Sequence, residues 1–156
     1  INEALPEREE YFNSEKYEIK DWDWEQPGNI KEIVRIVNRA RNENEALQKT
    51  ANLRFYEVDN DYILFYGKTT EDLSNIILVV GNLDLFHKQS GWLQLPLDEF
   101  GLDHEQPYLV YDLISQDKFF WQGERNYVEL DPHVLPVHIL RIHTRVKREQ
   151  DFDYFM

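Results

Sequence analysis

The 156 residues of this chain suffice for one domain with its own core, or for a domain of about 100 residues with an attached segment. The 30 acidic and 17 basic side chains give a formal charge of −13, which repels phosphate backbones and anionic lipid, so we exclude nucleic acid as a partner. Cysteine is absent, which excludes disulfides and thiolate metal sites and fits a cytoplasmic location. No apolar run approaches the roughly 20 residues of a membrane span, so we expect a soluble chain with no membrane partner.

The first stretch, residues 1–26, is polar, acidic and only weakly periodic. Ile1 stands where a whole gene product would carry methionine, and no leader-like composition follows it, so we expect a piece of a longer protein. The cluster Asp21-Trp22-Asp23-Trp24 combines carboxylates with rings, as sugar sites do. Neighbouring acids in an irregular stretch have no fixed separation, and we therefore interpret this cluster as packing rings beside solvated acids.

A helix is predicted next, over about Asn29 to Asn42, with a further turn at Asn44 to Gln48. Asn29 is a suitable N-cap. Apolar residues follow it at helical spacing: Ile30, Ile33, Val34, Val37 and Ala40. A single helix beside a β-sandwich cannot cover such a stripe, so we expect it to pack against a domain outside this chain.

From Leu53 onward the pattern becomes that of short strands separated by Gly, Pro, Asn and Asp. A hairpin is predicted from Leu53–Val58 and Tyr62–Lys68, joined by the turn Asp59-Asn60-Asp61. Further strands are predicted at Ile76–Val80, Gly91–Leu95, Tyr108–Asp112, Asn126–Leu130 and Val137–His143. With no helix expected between them, these strands indicate a mainly β fold, an antiparallel β-sandwich.

Two sets of side chains in the β region are candidates for chemistry. The chain has five histidines, and histidine is a residue type that serves in acid–base catalysis and in metal binding. The five-residue spacing of His133, His138 and His143 sends successive rings to opposite faces of a strand, so we expect surface or packing roles and no metal or cofactor site. Trp92 and Trp121 could form a platform on which a sugar stacks, although isolated aromatic residues of a sandwich more often fill its core.

A set of short motifs occurs along the chain in a characteristic order. They are Ser14-Glu15-Lys16-Tyr17, Pro27-Gly28-Asn29-Ile30, Val79 to Leu85, Tyr111-Asp112-Leu113, Trp121 to Leu130, and Pro136-Val137-His138. In this order they resemble the end of the catalytic barrel and the C-terminal β domain of the α-1,4-glucan:maltose-1-phosphate maltosyltransferases, a branch of the α-amylase superfamily. Gly81 and Leu85 depart from that family's pattern, and both departures bear on strand register rather than on chemistry.

The resemblance implies a domain organisation and an activity. Residues 1–50 would be the tail of a catalytic (β/α)8 barrel including its last helix, and residues 51–156 a C-terminal antiparallel β-sandwich. The longer enzyme would move maltosyl units from α-maltose 1-phosphate to the non-reducing end of an α-1,4-glucan, releasing phosphate. Such retaining chemistry uses two carboxyl groups. In this superfamily they lie on barrel strands upstream, so we assign no catalytic residue here and expect this chain alone to be inactive.

Lys16 and Tyr17 are the substrate-binding residues that the resemblance implies, beside the phosphate of the donor. An ammonium group offers a compact positive charge, and a phenol offers one directed hydrogen bond. From spacing alone, Lys16 would instead pair with Glu15 or Glu18 at the surface while Tyr17 packs.

The partners implied are α-maltose 1-phosphate, an α-1,4-glucan and the chain's own upstream barrel, with no cofactor, and a homodimer of the longer enzyme is compatible with them. Two alternatives stay open. One is a non-catalytic carbohydrate-binding or structural β module that shares only the fold. The other is the same region of an amylase-type α-glucan hydrolase, in which water is the acceptor.

Overall fold

A computed structural model describes residues 6–7, 19 and 21–143 of the chain. The chain divides into two units, Ile1–Lys31 and Glu32–Met156. The helices are α1 (Lys31–Glu43), a 3₁₀ turn (Glu45–Gln48) and α2 (Leu97–Phe100). The strands are β1 (Leu53–Phe55), β2 (Ile63–Thr69), β3 (Ile76–Asn82), β4 (Gln89–Gln94), β5 (Tyr108–Asp112), β6 (Lys118–Trp121), β7 (Arg125–Leu130) and β8 (Val137–His143).

In the first unit, the described residues form the turns that lead into α1. Asn29 N–H donates to the Gln26 carbonyl at 3.2 Å across Pro27-Gly28, and Gly28 has a positive φ of 81°. This is the Pro-Gly arrangement of a type II turn. The Asn29 side-chain oxygen then accepts from Lys31 N–H at 3.0 Å, which is the N-cap contact that the sequence predicts.

The strands of the second unit form two antiparallel sheets. Six strands pair in the order β1-β2-β3-β8-β5-β6, and β4 pairs with β7. This architecture confirms the predicted mainly antiparallel β fold. An isolated antiparallel bridge between Val58 and Leu93 connects the segment after β1 to strand β4 of the second sheet.

Three details differ from the sequence prediction. The strand that begins at Leu53 ends at Phe55, because the chain then leaves the first sheet and Val58 bridges β4 of the second. The short helix α2 lies between β4 and β5, where we expected no helix. Strand β6 was not predicted; it forms because the tight turn after Asp112 brings Lys118 back opposite Tyr111.

The main core lies between the two sheets and collects alternate residues from both. It contains Ile63, Phe65, Ile76, Leu78, Val80, Leu93, Leu95, Leu97, Phe100, Tyr108, Val110, Val128, Leu130, Leu140 and Ile142. A second, smaller cluster on the opposite face of β3 and β8 contains Ala46, Ile77, Val79 and Ile139. Strand β3 is therefore buried on both faces, which accounts for its continuous apolar sequence.

Asparagine side chains attach the 3₁₀ turn to the first sheet. Asn44 is buried; its amide donates to the Ala40 carbonyl at 2.8 Å and its oxygen accepts from Asn75 at 3.0 Å. The Asn75 oxygen accepts from Ala46 N–H at 3.0 Å. Further up α1, Ala40 is buried while Val34 and Val37 remain exposed. Whether a further domain covers that stripe, and whether a domain boundary falls at residue 50, stay predictions.

Among the described residues, the helices are all too short or too polar to cross a bilayer.

Candidate functional site

The predicted substrate-binding residues, Lys16 and Tyr17, lie outside the residues that the structure describes. Their role beside a donor phosphate therefore stays a prediction. Another candidate site lies in the second unit, on strands β4 and β7.

Six outward side chains of the two-stranded sheet form one surface, which we call the Trp92 face. Burial alternates along both strands, with the neighbours Leu93 and Val128 buried in the core. The register sets the outward residues opposite each other in the pairs Ser90 and Glu129, Trp92 and Tyr127, and Gln94 and Arg125. Cross-strand partners share a face of the sheet, so the two aromatic rings lie at its centre.

The rings of Trp92 and Tyr127 contact each other edge to face and remain open to solvent. Their centroids are 5.5 Å apart with planes inclined at 61°. Trp92 is 46% exposed and Tyr127 48% exposed. The Arg125 guanidinium carbon lies 5.4 Å from the centroid of the Trp92 ring, within the range of a cation–π contact.

Trp92 is positioned through its backbone. Its N–H donates to the Asp59 carboxylate at 2.7 Å, and Asp59 N–H donates back to the Trp92 carbonyl at 3.4 Å. A Cβ at the preceding Gly91 would come within 3.0 Å of the Asp59 carboxylate and 3.1 Å of the Val58 side chain. Glycine thus lets the segment carrying Val58 and Asp59 lie close against β4.

Tyr127 is positioned by its buried neighbour. The Asn126 amide donates to the Tyr108 hydroxyl at 2.9 Å and to the Gly123 carbonyl at 3.1 Å. The Tyr108 hydroxyl in turn donates to the Gly123 carbonyl at 2.9 Å, and burial raises the pKa of Tyr108 to about 12. Because strand side chains alternate, an inward Asn126 sends Tyr127 outward.

Charged and amide groups surround the rings. Lys88 Nζ donates to Glu129 Oε1 at 2.9 Å, and the Tyr127 hydroxyl donates to Glu129 Oε2 at 3.3 Å. The hydrogen bond from Lys88 lowers the pKa of Glu129, so this carboxylate is an ionised acceptor at neutral pH. Gln94 donates to Glu124 at 3.0 Å on the other side of the rings.

Trp92 and Trp121 lie in different sheets, so they do not form the sugar-stacking platform that the sequence left as one possibility. Trp121 lies on β6 opposite Tyr108 in the first sheet and packs against the main core, as we expected of an isolated aromatic residue. Trp92 is on the second sheet and is not a core residue, so the core interpretation is wrong for it. The alternation of Leu93 and Leu95 with Trp92, and of Val128 and Leu130 with Tyr127, is the sequence signal that identifies both rings as outward.

His138 has a partner that its spacing does not reveal. Its Nδ1 lies 2.6 Å from Oδ2 of the fully buried Asp112. Ile114 N–H and the Ser115 hydroxyl donate to the same carboxylate at 2.9 Å and 3.0 Å. Since an ionised carboxylate only accepts, Nδ1 carries the proton. Ser115 bonds to Asp112 rather than to His138, so the three groups stabilise the turn and do not form a nucleophile–base pair.

Asp98, His104 and Glu124 form the group of described residues whose ligand atoms lie close enough together, within 4.8 Å, to hold a metal ion. His104 Nε2 is 2.8 Å from Asp98, and its Nδ1 is 3.9 Å from Glu124. The hydrogen bond to Asp98 raises the pKa of His104. Both ring nitrogens thus face a carboxylate already, and we interpret the group as a surface ion-pair network.

Comparisons with known proteins give the chain its relatives. Residues 55–142 match the protein family described as GLGE, C-terminal. An "Alpha-1,4-glucan:maltose-1-phosphate maltosyltransferase" of Chlorobaculum tepidum is 47% identical over 143 residues, covering 88% of this chain and 21% of that protein. The protein of the same name from Rhodospirillum rubrum is 50% identical over 141 residues, covering 90% of this chain and 20% of its own. The chain thus spans about a fifth of the length of these curated relatives.

A solved structure has the same fold. It is the noncanonic maltogenic alpha-amylase AmyB from Thermotoga neapolitana, which superimposes with a TM-score of 0.56 at 17% identity, covering 76% of this chain and 27% of that chain. At this identity the likeness concerns the fold alone, and it agrees with the predicted antiparallel β domain. The sequence relatives confirm the resemblance to the α-1,4-glucan:maltose-1-phosphate maltosyltransferases that the motifs indicate. Because the matched residues 55–142 are more than half of the 156 residues, the chain belongs to the GLGE, C-terminal family.

Proposed function

We propose that this chain is the C-terminal part of an α-1,4-glucan:maltose-1-phosphate maltosyltransferase. In the longer protein, maltosyl units would pass from α-maltose 1-phosphate to the non-reducing end of an α-1,4-glucan, and phosphate would be released. The observation that carries this proposal is the 47–50% identity with two proteins of that name over 88–90% of this chain. The acidic, cysteine-free composition suits a cytoplasmic location, which is part of the proposal.

In this proposal the β region supports the catalytic barrel and the chemistry takes place upstream. Retaining transfer needs a nucleophilic carboxylate and a second carboxyl group that acts as acid and then as base. Both would lie on barrel strands outside this chain, and residues 1–50 would be the tail of that barrel. The exposed Val34 and Val37 on α1 support this arrangement, because the barrel would give them an apolar surface to pack on.

Lys16 and Tyr17 are proposed to bind the phosphate of the donor. Phosphate is doubly anionic near neutral pH, and a lysine ammonium neutralises part of that charge while donating a charge-assisted hydrogen bond. The tyrosine hydroxyl would donate a second, neutral hydrogen bond, which is the weaker of the two.

The test uses the longer protein that contains this chain and measures phosphate released from α-maltose 1-phosphate with a maltooligosaccharide acceptor. We expect Lys16→Ala to lower kcat/KM for the donor by about tenfold to a hundredfold, which corresponds to the loss of a charged hydrogen bond. Tyr17→Phe keeps the ring and removes one neutral donor, so its effect should be smaller, about tenfold at most. The KM for the uncharged acceptor should change little in either variant.

Lys20→Ala is the matched control, since it removes a lysine from the same stretch and leaves Lys16 and Tyr17 unchanged. Wild-type donor kinetics in a folded Lys16→Ala variant would show that Lys16 only forms surface pairs. Failure of the longer wild-type protein to release phosphate would refute the maltosyltransferase assignment itself, and release of glucose or maltose from α-glucan in its place would favour the hydrolase alternative.

A further inference from the structure

The proposed function assigns no role to the Trp92 face. It lies on the second sheet, and its two rings are each about half exposed although the backbone beneath them is fixed. The described residues offer other clusters, but Asp98–His104–Glu124 is satisfied as ion pairs and Asp112–His138 closes a turn. On the Trp92 face, exposed aromatic rings lie beside charged and amide groups that can contact a ligand.

We propose that the Trp92 face binds α-1,4-glucan on the surface of the β region, with a glucosyl unit stacked on the Trp92–Tyr127 pair and hydrogen-bonded by the surrounding charged groups. The geometry supports recognition of a pyranose. The choice of an α-1,4-glucan among pyranose polymers rests on the proposed function.

The aromatic pair suits one side of a sugar ring. A pyranose presents C–H groups on its faces and hydroxyls at its edge. Its face therefore stacks on an aromatic ring, while polar groups around that ring can bind the hydroxyls. Trp92 and Tyr127 are each about half exposed and contact each other edge to face, with centroids 5.5 Å apart and planes inclined at 61°, so a sugar that stacks on one ring is bordered by the other. Asp59 holds the Trp92 backbone, and Tyr127 and Arg125 contact the Trp92 ring, so part of the conformational freedom that binding would cost is already lost.

The rim suits the hydroxyls of an uncharged ligand. Sugar hydroxyls both donate and accept hydrogen bonds. Lys88 and Gln94 already donate to Glu129 and Glu124, and each amine or amide carries a further N–H for a sugar hydroxyl. The Arg125 guanidinium adds donors beside the Trp92 ring, and Glu129 is an ionised acceptor. Positive and negative groups alternate around the rings, so the face has no excess charge that would select an ionic ligand, and the formal charge of −13 on the chain disfavours polyanions.

Arg125 argues against an apolar protein surface as the occupant. Its guanidinium lies over the Trp92 ring, 5.4 Å from the centroid, and Glu129 lies opposite Ser90 on the same face. A flat apolar partner would bury both charges without new hydrogen bonds, which costs free energy. A glucan that displaces the guanidinium from the ring leaves its N–H donors beside the sugar hydroxyls.

The test titrates maltoheptaose into the 156-residue chain by isothermal titration calorimetry, with cellohexaose as the comparison sugar. We expect binding of maltoheptaose and at least tenfold weaker binding of cellohexaose, because a β-1,4 chain is flat and presents its units differently. Trp92→Ala and Tyr127→Ala should each weaken maltoheptaose binding about tenfold or more, as for aromatic residues at the centre of an interface. Trp92→Phe, which keeps a ring, should lose less.

The matched control is Phe120→Ala, which removes a single exposed ring, 77% exposed, from strand β6 of the other sheet. It should bind maltoheptaose as the wild type does, and circular dichroism should show that all variants remain folded. Three results would overturn the proposal: no binding by the wild type, unchanged binding by folded Trp92→Ala, or equal binding of the two sugars.

This outcome is separable from that of the proposed function. Binding of maltoheptaose by the chain, together with no phosphate release by the longer protein, would refute the maltosyltransferase assignment and leave the sugar surface standing. Phosphate release by the longer protein, with no sugar binding by the chain, would refute the surface alone.

Discussion

Gly67 lies opposite Leu78 and Gly81 lies opposite Leu64 in the ladder of β2 and β3, and the two positions differ in the room that they leave for a side chain. A Cβ on Gly67 would come within 2.6 Å of the Tyr56 ring and 3.1 Å of Leu78. The Tyr56 ring is itself packed against Phe65 and Phe100, with centroids 5.5 Å and 5.9 Å away. Around Gly81, nothing lies within 4 Å of the added atom.

We therefore expect opposite results from the same substitution. Gly67→Ala should destabilise the chain by about 1–3 kcal/mol, because the methyl group overpacks the Tyr56 ring. Gly81→Ala should leave stability unchanged or raise it by up to about 1 kcal/mol, since alanine lowers the entropy of the unfolded chain and meets no obstacle. Urea denaturation measures both, and equal losses in the two variants would contradict this account.

Among the described residues, Asp112 is a fully buried carboxyl group, so its contacts bear on stability in acid. Burial alone raises the pKa of a carboxyl group, but the hydrogen bonds from His138, Ile114 and Ser115 outweigh it, and the pKa of Asp112 is lowered. A lowered folded-state pKa means that the native chain binds fewer protons than the unfolded one. The contribution of Asp112 to stability is therefore fully present above the unfolded pKa of about 4 and is lost as the pH falls through the folded-state value.

Asp112→Asn should destabilise the chain by about 1.5–3 kcal/mol at pH 7, because it removes the charge-assisted hydrogen bond with His138 and leaves the shape intact. The difference from wild type should shrink as the pH falls below about 4. Thermal unfolding measured from pH 7 to pH 2 checks both statements. Asp117→Asn, an exposed change on the same turn, is the control and should have little effect. A constant difference at all pH values would mean that ionisation of Asp112 is not the cause.

The residues of the site were only partly accessible from the sequence. Trp92 was identified as a candidate sugar-stacking residue, but its partner is Tyr127, which lies opposite it across the β4–β7 ladder. The two are far apart in the chain, and pairing between strands that are distant in sequence follows from register, which short strands do not specify alone. The contact between Asp112 and His138 is not predictable from the sequence for the same reason, because the two residues belong to strands β5 and β8.

At the scale of elements, periodicity predicted the strands with a buried and an exposed face, or with two buried faces. Strands β3, β5 and β8 have such patterns and lie where they were expected. Strand β6 is an edge strand with three exposed residues of four, so no buried alternation marks it. A pattern of burial cannot identify an element that buries almost nothing.

The first hairpin shows a different limit. Arg54 and Phe55 pair with β2, as predicted, but Val58 pairs with Leu93 in the second sheet. Both partners demand the same extended backbone with alternating side chains, so the sequence pattern is continuous where the pairing changes. Helix α2 is likewise a single turn and ends at Gly101, whose positive φ of 67° supplies the C-cap. A helix this short has no periodicity to detect.

At the scale of the whole second unit, the two sheets share one core. Leu93 of the second sheet and Val110 of the first are both fully buried in the main cluster. The Tyr108–Asn126 hydrogen bond, 2.9 Å long, joins β5 to β7 in the same region. A two-stranded sheet is marginal by itself, so β4 and β7 depend on the larger sheet for their stability, and the Trp92 face depends on it through them.

Leu93→Ala tests this dependence. Leu93 is fully buried, so we expect a loss of about 2–5 kcal/mol from the cavity and the lost burial. If the sheets unfold together, hydrogen exchange should show amides of β4 and β7 and amides of β3 and β8 losing protection by the same free energy. Leu64→Ala, at a 36% exposed position on β2, is the matched control and should cost about 1 kcal/mol or less. Rapid exchange in β4 and β7 with unchanged protection in β3 and β8 would instead show that the sheet carrying the Trp92 face opens separately, because the shared core then does not couple the two layers.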